Sequence, residues 1–349
     1  MNTRIITIDE NNIDEELLKE AGDIIKRGGL VAFPTETVYG LGGDALNPES
    51  SRKIYAAKGR PSDNPLIIHI AKYDDLFKIV KNIPNVTKRI ADEFWPGPLT
   101  MIFDKADSVP YETTGGLDTV AVRFPSNPIA QKFIELSGGF VAAPSANRSG
   151  RPSPTVAKYV VEDLDGRIEM IIDGGSSDIG LESTIIDMTV NPPMILRPGY
   201  ILPKDFERII NDVDIDRTVL DADSGLAPKA PGMKYKHYAP QGELTVVHGV
   251  HDEVIGYINN TVSVMEQKGI KAAVLTTDES MSEYSCRNIK SLGLRSDNET
   301  IAHNLFRVLR ELDDEGIEII YSESFDDGGL NWATMNRLLK AAGHKEVYL

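Results

Sequence analysis

Residues 28–41 read Gly28-Gly29-Leu30-Val31-Ala32-Phe33-Pro34-Thr35-Glu36-Thr37-Val38-Tyr39-Gly40-Leu41. Two glycines precede a run of four apolar residues, and Pro34 ends that run. A short apolar run between glycine and proline is typical of a buried strand. The polar residues that follow it would lie at the carboxyl end of the strand, where open α/β sheets bind their ligands. This segment therefore predicts an α/β sheet with a ligand site at its edge.

Helices and strands continue to alternate on both sides of this segment. Upstream, apolar residues at helical spacing predict a helix with Asn12 as its N-cap. Downstream, Asn47-Pro48 and Asn127-Pro128 each predict the start of a helix. The further strands expected in the first 200 residues are Leu66–Ile70, Leu99–Phe103, Thr119–Phe124, Phe140–Pro144, Met170–Asp173, Ser183–Met188 and Met194–Arg197. The last two resemble a hairpin, so an open mixed sheet is expected.

A second, smaller domain is expected after a segment rich in proline and glycine. Strands at Leu244–His248, Ala272–Thr276, Asn288–Leu292 and Ile317–Ser322 alternate with helices at Asp252–Gln267, Glu299–Asp314 and Trp332–Ala342. This β-α-β order predicts a Rossmann-like parallel sheet. The expected boundaries are 1–205 for the first domain, 206–242 for the linker and 243–349 for the second domain. A length of 349 residues agrees with two domains.

Charge and composition exclude several classes of protein. Residues 1–200 carry 21 basic and 28 acidic side chains, and residues 201–349 carry 16 and 25, so neither part would hold nucleic acid by bulk electrostatics. The single cysteine, Cys286, cannot form an internal disulfide, which agrees with a reducing compartment. No apolar stretch approaches the roughly 20 residues of a membrane-spanning helix. The first residues lack the pattern of a signal peptide, so a cytoplasmic location is expected.

The common catalytic motifs are absent from the sequence. There is no GxxxxGK[ST], HExxH, CxxC or GxSxG, and the six histidines show no metal-ligand spacing. Neither a dedicated metal site nor an organic cofactor is therefore expected.

Three polar segments stand out, and the first two have a plain structural alternative. Residues 34–42 could be a glycine-rich turn rather than a ligand contact. Lys58 and Arg60 could compensate the dipole at a helix end instead of binding an anion. His69 could be a satisfied core histidine. Residues 144–153 carry hydroxyl, amide and guanidinium groups after a strand, which would suit phosphate oxygens and a purine edge.

Taken together, these motifs resemble a known family. Residues 28–41, the Lys58-x-Arg60 pair and the Ser145-x-Asn147 pair look like the YrdC-type domain. The linker Pro231-Gly232-Met233-Lys234-Tyr235-Lys236-His237-Tyr238 and the smaller second domain resemble the two-domain form of the threonylcarbamoyl-AMP synthase family. The resemblance implies a YrdC-like open twisted mixed sheet, and a reaction in which L-threonine, bicarbonate and ATP give threonylcarbamoyl-AMP and pyrophosphate. The product would serve a downstream tRNA threonylcarbamoyl transferase complex.

The resemblance also implies which residues bind the substrates. L-threonine would be held by Thr37, His69, Arg123, Ala143 and Ser183. ATP would be held by Lys58, Arg60, Asn64, Thr119, Ser145, Asn147, Ser153 and Arg197. Mg²⁺ would arrive with the nucleotide. Tyr235, His237 and Tyr238 of the linker could close over the adenylate and exclude water, although a solvated tether is the simpler interpretation of this segment.

Two other functions stay open at this point. YrdC-like domains have been linked with double-stranded RNA, and a local patch of basic residues could bind it despite the acidic composition. Hydrogenase-maturation proteins use a similar domain for carbamoyl-adenylate chemistry, but they carry zinc-finger segments that a chain with one cysteine cannot form.

Overall fold

The computed structural model describes residues 2–216, 237–325 and 328–349. They form two compact units. The first holds the described residues up to Asp216 except 150–153 and 179–181. The second holds those two short segments and the described residues from His237 onward.

The first unit is built on a mixed sheet with strands in the order β1-β8-β2-β3-β7-β4-β6-β5-β9-β10-β11. The strands are β1 Arg4–Thr7, β2 Val31–Phe33, β3 Gly40–Asp44, β4 Ile67–His69, β5 Leu99–Asp104, β6 Thr119–Arg123, β7 Val141–Ala143, β8 Met170–Asp173, β9 Thr184–Asp187, β10 Met194–Arg197 and β11 Asp214–Ile215. Strands β4 and β6 pair in parallel, whereas β5 and β6, β3 and β7, and β9 and β10 pair antiparallel. The predicted mixed sheet, including the terminal hairpin, is therefore confirmed.

Helices of the first unit connect and cover these strands. They are α1 Glu15–Lys26, α2 Pro48–Lys58, α3 Leu76–Ile79, α4 Thr87–Phe94, α5 Tyr111–Thr114, α6 Pro128–Leu136, α7 Ala157–Leu164 and α8 Pro203–Glu207, with a 3₁₀ turn at Tyr73–Asp75. Apolar side chains of α1 and α6 pack with β2 in one buried cluster that contains Phe33 and Phe133. This packing anchors the strand whose carboxyl end leads into residues 34–39.

The N-caps of three helices test the sequence predictions directly. Asn47 and Asn127 cap α2 and α6 as predicted, each with a side-chain oxygen that accepts from a backbone N–H. The prediction of Asn12 as the cap of α1 is wrong, because Asp14 accepts from the N–H groups of Glu16 and Leu17 at 3.1 Å. Asn12 instead closes a tight turn, in which its N–H donates to the carbonyl of Asp9 at 3.0 Å.

The sequence prediction does not include strand β3, because it assigns the glycines of residues 34–42 to a ligand contact or, as the alternative, to a turn. The close approach of neighbouring strands explains them: a Cβ at Gly40 would lie 2.9 Å from the ring of Phe33, and one at Gly42 would lie 2.8 Å from the Val141 side chain. Only glycine lets β3 lie between β2 and β7 at this spacing. The glycines therefore serve strand packing.

The second unit contains a parallel sheet in the order β14-β13-β15-β12-β16, as predicted for a Rossmann-like domain. Its strands are β12 Glu243–His248, β13 Ala272–Thr276, β14 Ile289–Ser291, β15 Ile319–Glu323 and β16 Glu346–Tyr348. Its helices are α9 His251–Gln267, α10 Asn298–Asp314 and α11 Leu330–Ala342, with a 3₁₀ turn at Met281–Glu283. Strand β16 was not predicted. In the part of the chain that the structure describes, no helix has the length and apolarity needed to cross a membrane.

Candidate active site

The carboxyl ends of two neighbouring parallel strands form the centre of the candidate site. His69 ends β4 and Arg123 ends β6, and the two residues are register partners. On the other side of β6, Thr100 of β5 pairs with Arg123. All three residues are buried. Buried polar residues at the ends of parallel strands occupy the usual position of a ligand site in an α/β sheet.

Arg123 and Glu36 form a buried ion pair with incomplete hydrogen bonding. Arg123 Nη2 lies 2.8 Å from Glu36 Oε1, and the two side chains are only 5% and 6% exposed. Among the described residues, neither carboxylate oxygen of Glu36 has a partner in hydrogen-bond geometry, nor do Nε and Nη2 of Arg123. Buried polar groups are normally hydrogen-bonded, so these atoms have capacity for a ligand.

Sequence reasoning did not select Glu36 individually, although it selected the segment that contains it. Glu36 follows β2 by three residues. An acidic residue directly after a buried strand was the available signal, but the sequence does not reveal that the side chain turns inward to Arg123.

His69 is both a core histidine and a neighbour of this ion pair. Its Nδ1–H donates to the carbonyl of Ile67 at 3.1 Å, and its ring meets Phe33 edge-on at a centroid distance of 5.8 Å. Burial lowers the pKa of His69 to about 3, and the positive charge of Arg123 contributes to this shift. The imidazole is therefore neutral at physiological pH and adds no charge to the site.

The lowered pKa of His69 predicts an acid-sensitive fold. The unfolded chain takes up a proton on this residue as the pH falls below about 6.5, whereas the folded chain resists until about pH 3. Folding stability should therefore decrease as the pH falls through this window. We expect His69→Asn, whose amide can still donate to Ile67, to remove about 2 kcal/mol of the stability loss between pH 7 and pH 5. Urea unfolding at both pH values checks this, and an imidazole of His69 that titrates near pH 6.5 by NMR would contradict it.

The other residues predicted to hold threonine lie on nearby elements. Thr37 Oγ1 lies 2.9 Å from Thr35 Oγ1, and Ala143 of β7 pairs with Ile67 of β4. Ser183 Oγ lies 2.7 Å from Oγ1 of Thr100, and Thr100 pairs with Arg123 in the sheet. Strands β7, β4, β6 and β5 are consecutive in the sheet, so Ala143, His69, Arg123 and Thr100 lie on adjacent strands. Ser183 joins them through Thr100, whereas Thr37 follows β2.

Arg197 links this region to the residues predicted for ATP. Its Nε and Nη2 donate to the carbonyl of Ser183 at 3.0 and 2.9 Å, and Nη2 also donates to Ser183 Oγ at 3.2 Å. Arg197 ends β10, which pairs with β9 directly after Ser183. A residue predicted for the nucleotide and one predicted for threonine therefore lie in contact.

Lys58, Ser145 and Asn147 form a second buried cluster of the predicted ATP residues. Lys58 Nζ donates to the carbonyls of Ser145 and Asn147, and to Asn147 Oδ1 at 3.3 Å. Ser145 Oγ donates to the same Asn147 oxygen at 2.5 Å. Lys58 is the last residue of α2 and Ser145 follows β7. The Lys58 ammonium thus fixes the loop after β7 and supplies a positive charge there.

The remaining predicted ATP residues are arranged more loosely. Arg60 donates through Nη2 to Asn64 Oδ1 at 2.6 Å and through Nε to the Asn64 carbonyl at 3.2 Å. Thr119 begins β6, at the opposite end of the strand from Arg123. Ser153 is assigned to the second compact unit. The structure therefore joins Arg60 to Asn64, but it does not join Thr119 to the Lys58 cluster by a hydrogen bond among those it describes.

Two of the three residues predicted for a lid are described, and Tyr235 lies outside the described residues. His237 and Tyr238 are buried, with ring centroids 5.6 Å apart. Tyr238 also packs against Phe306 of the same unit at 5.0 Å. The lid stays a prediction.

The first unit therefore offers buried cationic groups, neutral hydroxyls and a neutral imidazole. In residues 2–216, 237–325 and 328–349, no group of three or more His, Cys, Asp or Glu is placed to hold a metal ion. Such a set of side chains suits positioning and charge neutralisation more than nucleophilic catalysis. The fold and site together define an α/β protein with a binding site for small charged ligands.

Comparison with known proteins identifies the family. A family model described as "Telomere recombination" matches residues 23–199, and the model "Threonylcarbamoyl-AMP synthase, C-terminal domain" matches residues 201–343. The threonylcarbamoyl-AMP synthase of Pyrococcus abyssi is 47% identical over 345 residues, which cover 99% of each chain. That of Bacillus subtilis is 43% identical and covers 97% of this chain and 96% of its own. The crystal structure of P. abyssi Sua5 complexed with L-threonine superposes with a TM-score of 0.93 at 46% identity, covering 99% of this chain and 100% of that chain.

The chain belongs to the threonylcarbamoyl-AMP synthase family. Its activity is the formation of threonylcarbamoyl-AMP, an adenylate-forming reaction of the nucleotidyltransferase type that serves threonylcarbamoyladenosine modification of tRNA. The resemblance inferred from the sequence and the two-domain fold are confirmed.

Proposed function

We propose that the first unit binds L-threonine at the Arg123 end of β4 and β6 and binds ATP at the Lys58 cluster. The observation that carries the proposal is the buried Arg123 guanidinium, whose Nε and Nη2 have no hydrogen-bond partner among the described residues. A guanidinium presents two parallel donors that match a carboxylate, so Arg123 would take the threonine carboxylate. That the P. abyssi Sua5 structure is complexed with L-threonine supports a threonine site in this fold.

His69, Thr37, Ser183 and the backbone at Ala143 would surround the rest of the amino acid. A neutral imidazole and hydroxyl groups can hydrogen-bond the threonine side chain without competing for its charges. His69 Nδ1 already donates to Ile67, so Nε2 would accept a hydrogen bond from the substrate. The neutral state of His69 at physiological pH agrees with an accepting role.

The nucleotide would be held by Lys58, Arg60, Asn64, Thr119, Ser145, Asn147 and Arg197 of the first unit. Three cations would then neutralise the charge of the phosphates, as phosphoryl-transfer sites require. Arg197, in contact with Ser183, would lie between the two substrates and hold the α-phosphate close to the amino acid.

The reaction requires little from the protein beyond positioning the reactants. The α-ammonium group of threonine first loses a proton to solvent, and the neutral amine then reacts with bicarbonate to give a carbamate and water. A carbamate oxygen then attacks the α-phosphorus of ATP, and the bond to the β-phosphate breaks to release pyrophosphate. Because the carbamate is already an anion, no strong general base is needed for the second step. Closely oriented reactants and cations at the leaving group supply the catalysis.

We further propose that Mg²⁺ enters with the phosphates of ATP rather than in a cage of protein ligands. Mg²⁺ keeps several waters and is commonly bound through substrate phosphates with one or two carboxylates.

The product would pass to a downstream tRNA threonylcarbamoyl transferase complex, and the reaction would take place in the cytoplasm. Partial burial raises the pKa of the Cys286 thiol. A raised pKa lowers the fraction of reactive thiolate, which agrees with a cysteine that stays reduced.

Product analysis with labelled bicarbonate tests the proposal. The enzyme is incubated with ATP, Mg²⁺, L-threonine and ¹³C-bicarbonate, and the adenylate is identified by mass spectrometry. The label is expected in a product that contains both threonine and AMP. An adenylate that contains threonine without the labelled carbon, or a labelled one without threonine, would contradict the proposed reaction.

A further inference from the structure

Glu36 has no role in the assignments above, yet it lies in direct contact with Arg123. Its carboxylate is 2.8 Å from Arg123 Nη2, inside the protein. A carboxylate buried against a single guanidinium normally accepts several well-aligned hydrogen bonds. Neither oxygen of Glu36 has a partner in hydrogen-bond geometry among the described residues. This ion pair is therefore poorly satisfied for its degree of burial.

Among the described residues, Glu36 forms an ion pair with Arg123 alone. His69, the register partner of Arg123, is neutral because burial lowers its pKa to about 3. Thr100, on the other side of Arg123, is engaged with Ser183 at 2.7 Å. The pair thus presents one buried negative group and one buried positive group side by side, each with hydrogen-bonding capacity left over.

A free α-amino acid is a zwitterion with the complementary arrangement of charges. Its α-carboxylate fits the guanidinium of Arg123, and its α-ammonium group carries three donors that would satisfy the oxygens of Glu36. Insertion of such a ligand would replace one poorly aligned ion pair by two well-aligned ones. Glu36 lies against Nη2 of the guanidinium, one of the donors that a substrate carboxylate would use.

We propose that Glu36 binds the α-ammonium group of L-threonine. This inference rests on the proposed function, since it assumes that Arg123 receives the threonine carboxylate. Glu36 makes the site selective for zwitterionic amino acids over hydroxy acids.

Binding measurements with two ligands test this role. L-threonine and (R)-3-hydroxybutyrate, which is threonine without its amino group, are titrated by calorimetry into the full-length wild type and Glu36→Gln, without ATP or bicarbonate. In Glu36→Gln, threonine binding is expected to weaken on the order of 100-fold, because a charge-assisted bond to the ammonium is lost. Binding of (R)-3-hydroxybutyrate is expected to stay equal or to tighten, since Glu36 no longer competes for Arg123.

The controls separate this role from a structural one. Glu20→Gln removes a carboxylate from an exposed ion pair with Arg4 and should bind both ligands like the wild type. Equal weakening of both ligands in Glu36→Gln, or unchanged threonine binding, would overturn the proposal. If Glu36→Gln does not fold, the relative affinity of the wild type for the two ligands tests the proposal instead. A preference for threonine over (R)-3-hydroxybutyrate on the order of 100-fold supports the proposal, and equal affinity overturns it.

The same measurements distinguish the role proposed for Glu36 from the proposed threonine site at Arg123. A wild type that makes the product from threonine but binds both ligands equally would remove only the role of Glu36. A wild type that neither binds threonine nor uses it would overturn the assignment of Arg123 as well.

Discussion

Replacement of Arg123 by lysine is expected to lower kcat/KM for L-threonine by about a thousandfold, mainly through KM, while KM for ATP changes little. A lysine keeps a positive charge opposite Glu36, so that carboxylate is not left as an unpaired buried charge. It loses the planar pair of donors that fits a carboxylate.

Steady-state kinetics of pyrophosphate release, with threonine and ATP varied separately, checks this prediction. Arg52→Lys is the matched control, because Arg52 forms exposed ion pairs with Glu49 and Glu112 and has no place in the site. Arg52→Lys should behave like the wild type. An Arg123→Lys enzyme with a normal KM for threonine would show that the carboxylate binds elsewhere.

Replacement of Lys58 by methionine is expected to affect the nucleotide side of the site instead. Methionine keeps much of the volume of the side chain but removes the ammonium group that bonds to the carbonyls of Ser145 and Asn147. The loop after β7 would lose this anchor, and the phosphates would lose a cation. We expect kcat/KM for ATP to fall by two to three orders of magnitude, roughly, with little change in threonine binding.

Calorimetric titration of threonine and kinetics with varied ATP separate the two effects. Lys72→Met is a suitable control, since Lys72 is exposed and pairs with Glu135 at 2.8 Å on the surface. Equal losses for threonine binding and ATP use in Lys58→Met would indicate a general loss of folding. An unchanged kcat/KM for ATP would exclude Lys58 from the nucleotide site.

Much of the fold follows from local patterns in the sequence. Strand β10 and strand β13 have the predicted bounds, because short apolar runs between turn residues are strong local signals. Strand β3 was missed because Gly40 and Gly42 are there to fit against Phe33 and Val141, which are distant partners. Asn12 was assigned as a cap by its position in a local pattern, whereas the preceding turn determines where α1 begins. Long-range packing accounts for the missed strand, and a local turn accounts for the misplaced cap.

Local patterns in the sequence indicate residues 34–42, Lys58 with Arg60, and residues 144–153 as candidate ligand contacts, but the role of each residue comes only from the resemblance to a family. Glu36 lies in the same segment as Thr37, but its contact with Arg123 joins residues 87 positions apart in the chain. Such a contact depends on the order of strands in the sheet, which local periodicity does not encode. The role proposed for Glu36 therefore comes from the structure.

Pyrophosphate release from ATP, with L-threonine and bicarbonate omitted one at a time, tests the central claim most directly. The account predicts release that requires both compounds, since the carbamate formed from them is the group that attacks ATP. Release that continues without threonine, or no release with all substrates present, would contradict it.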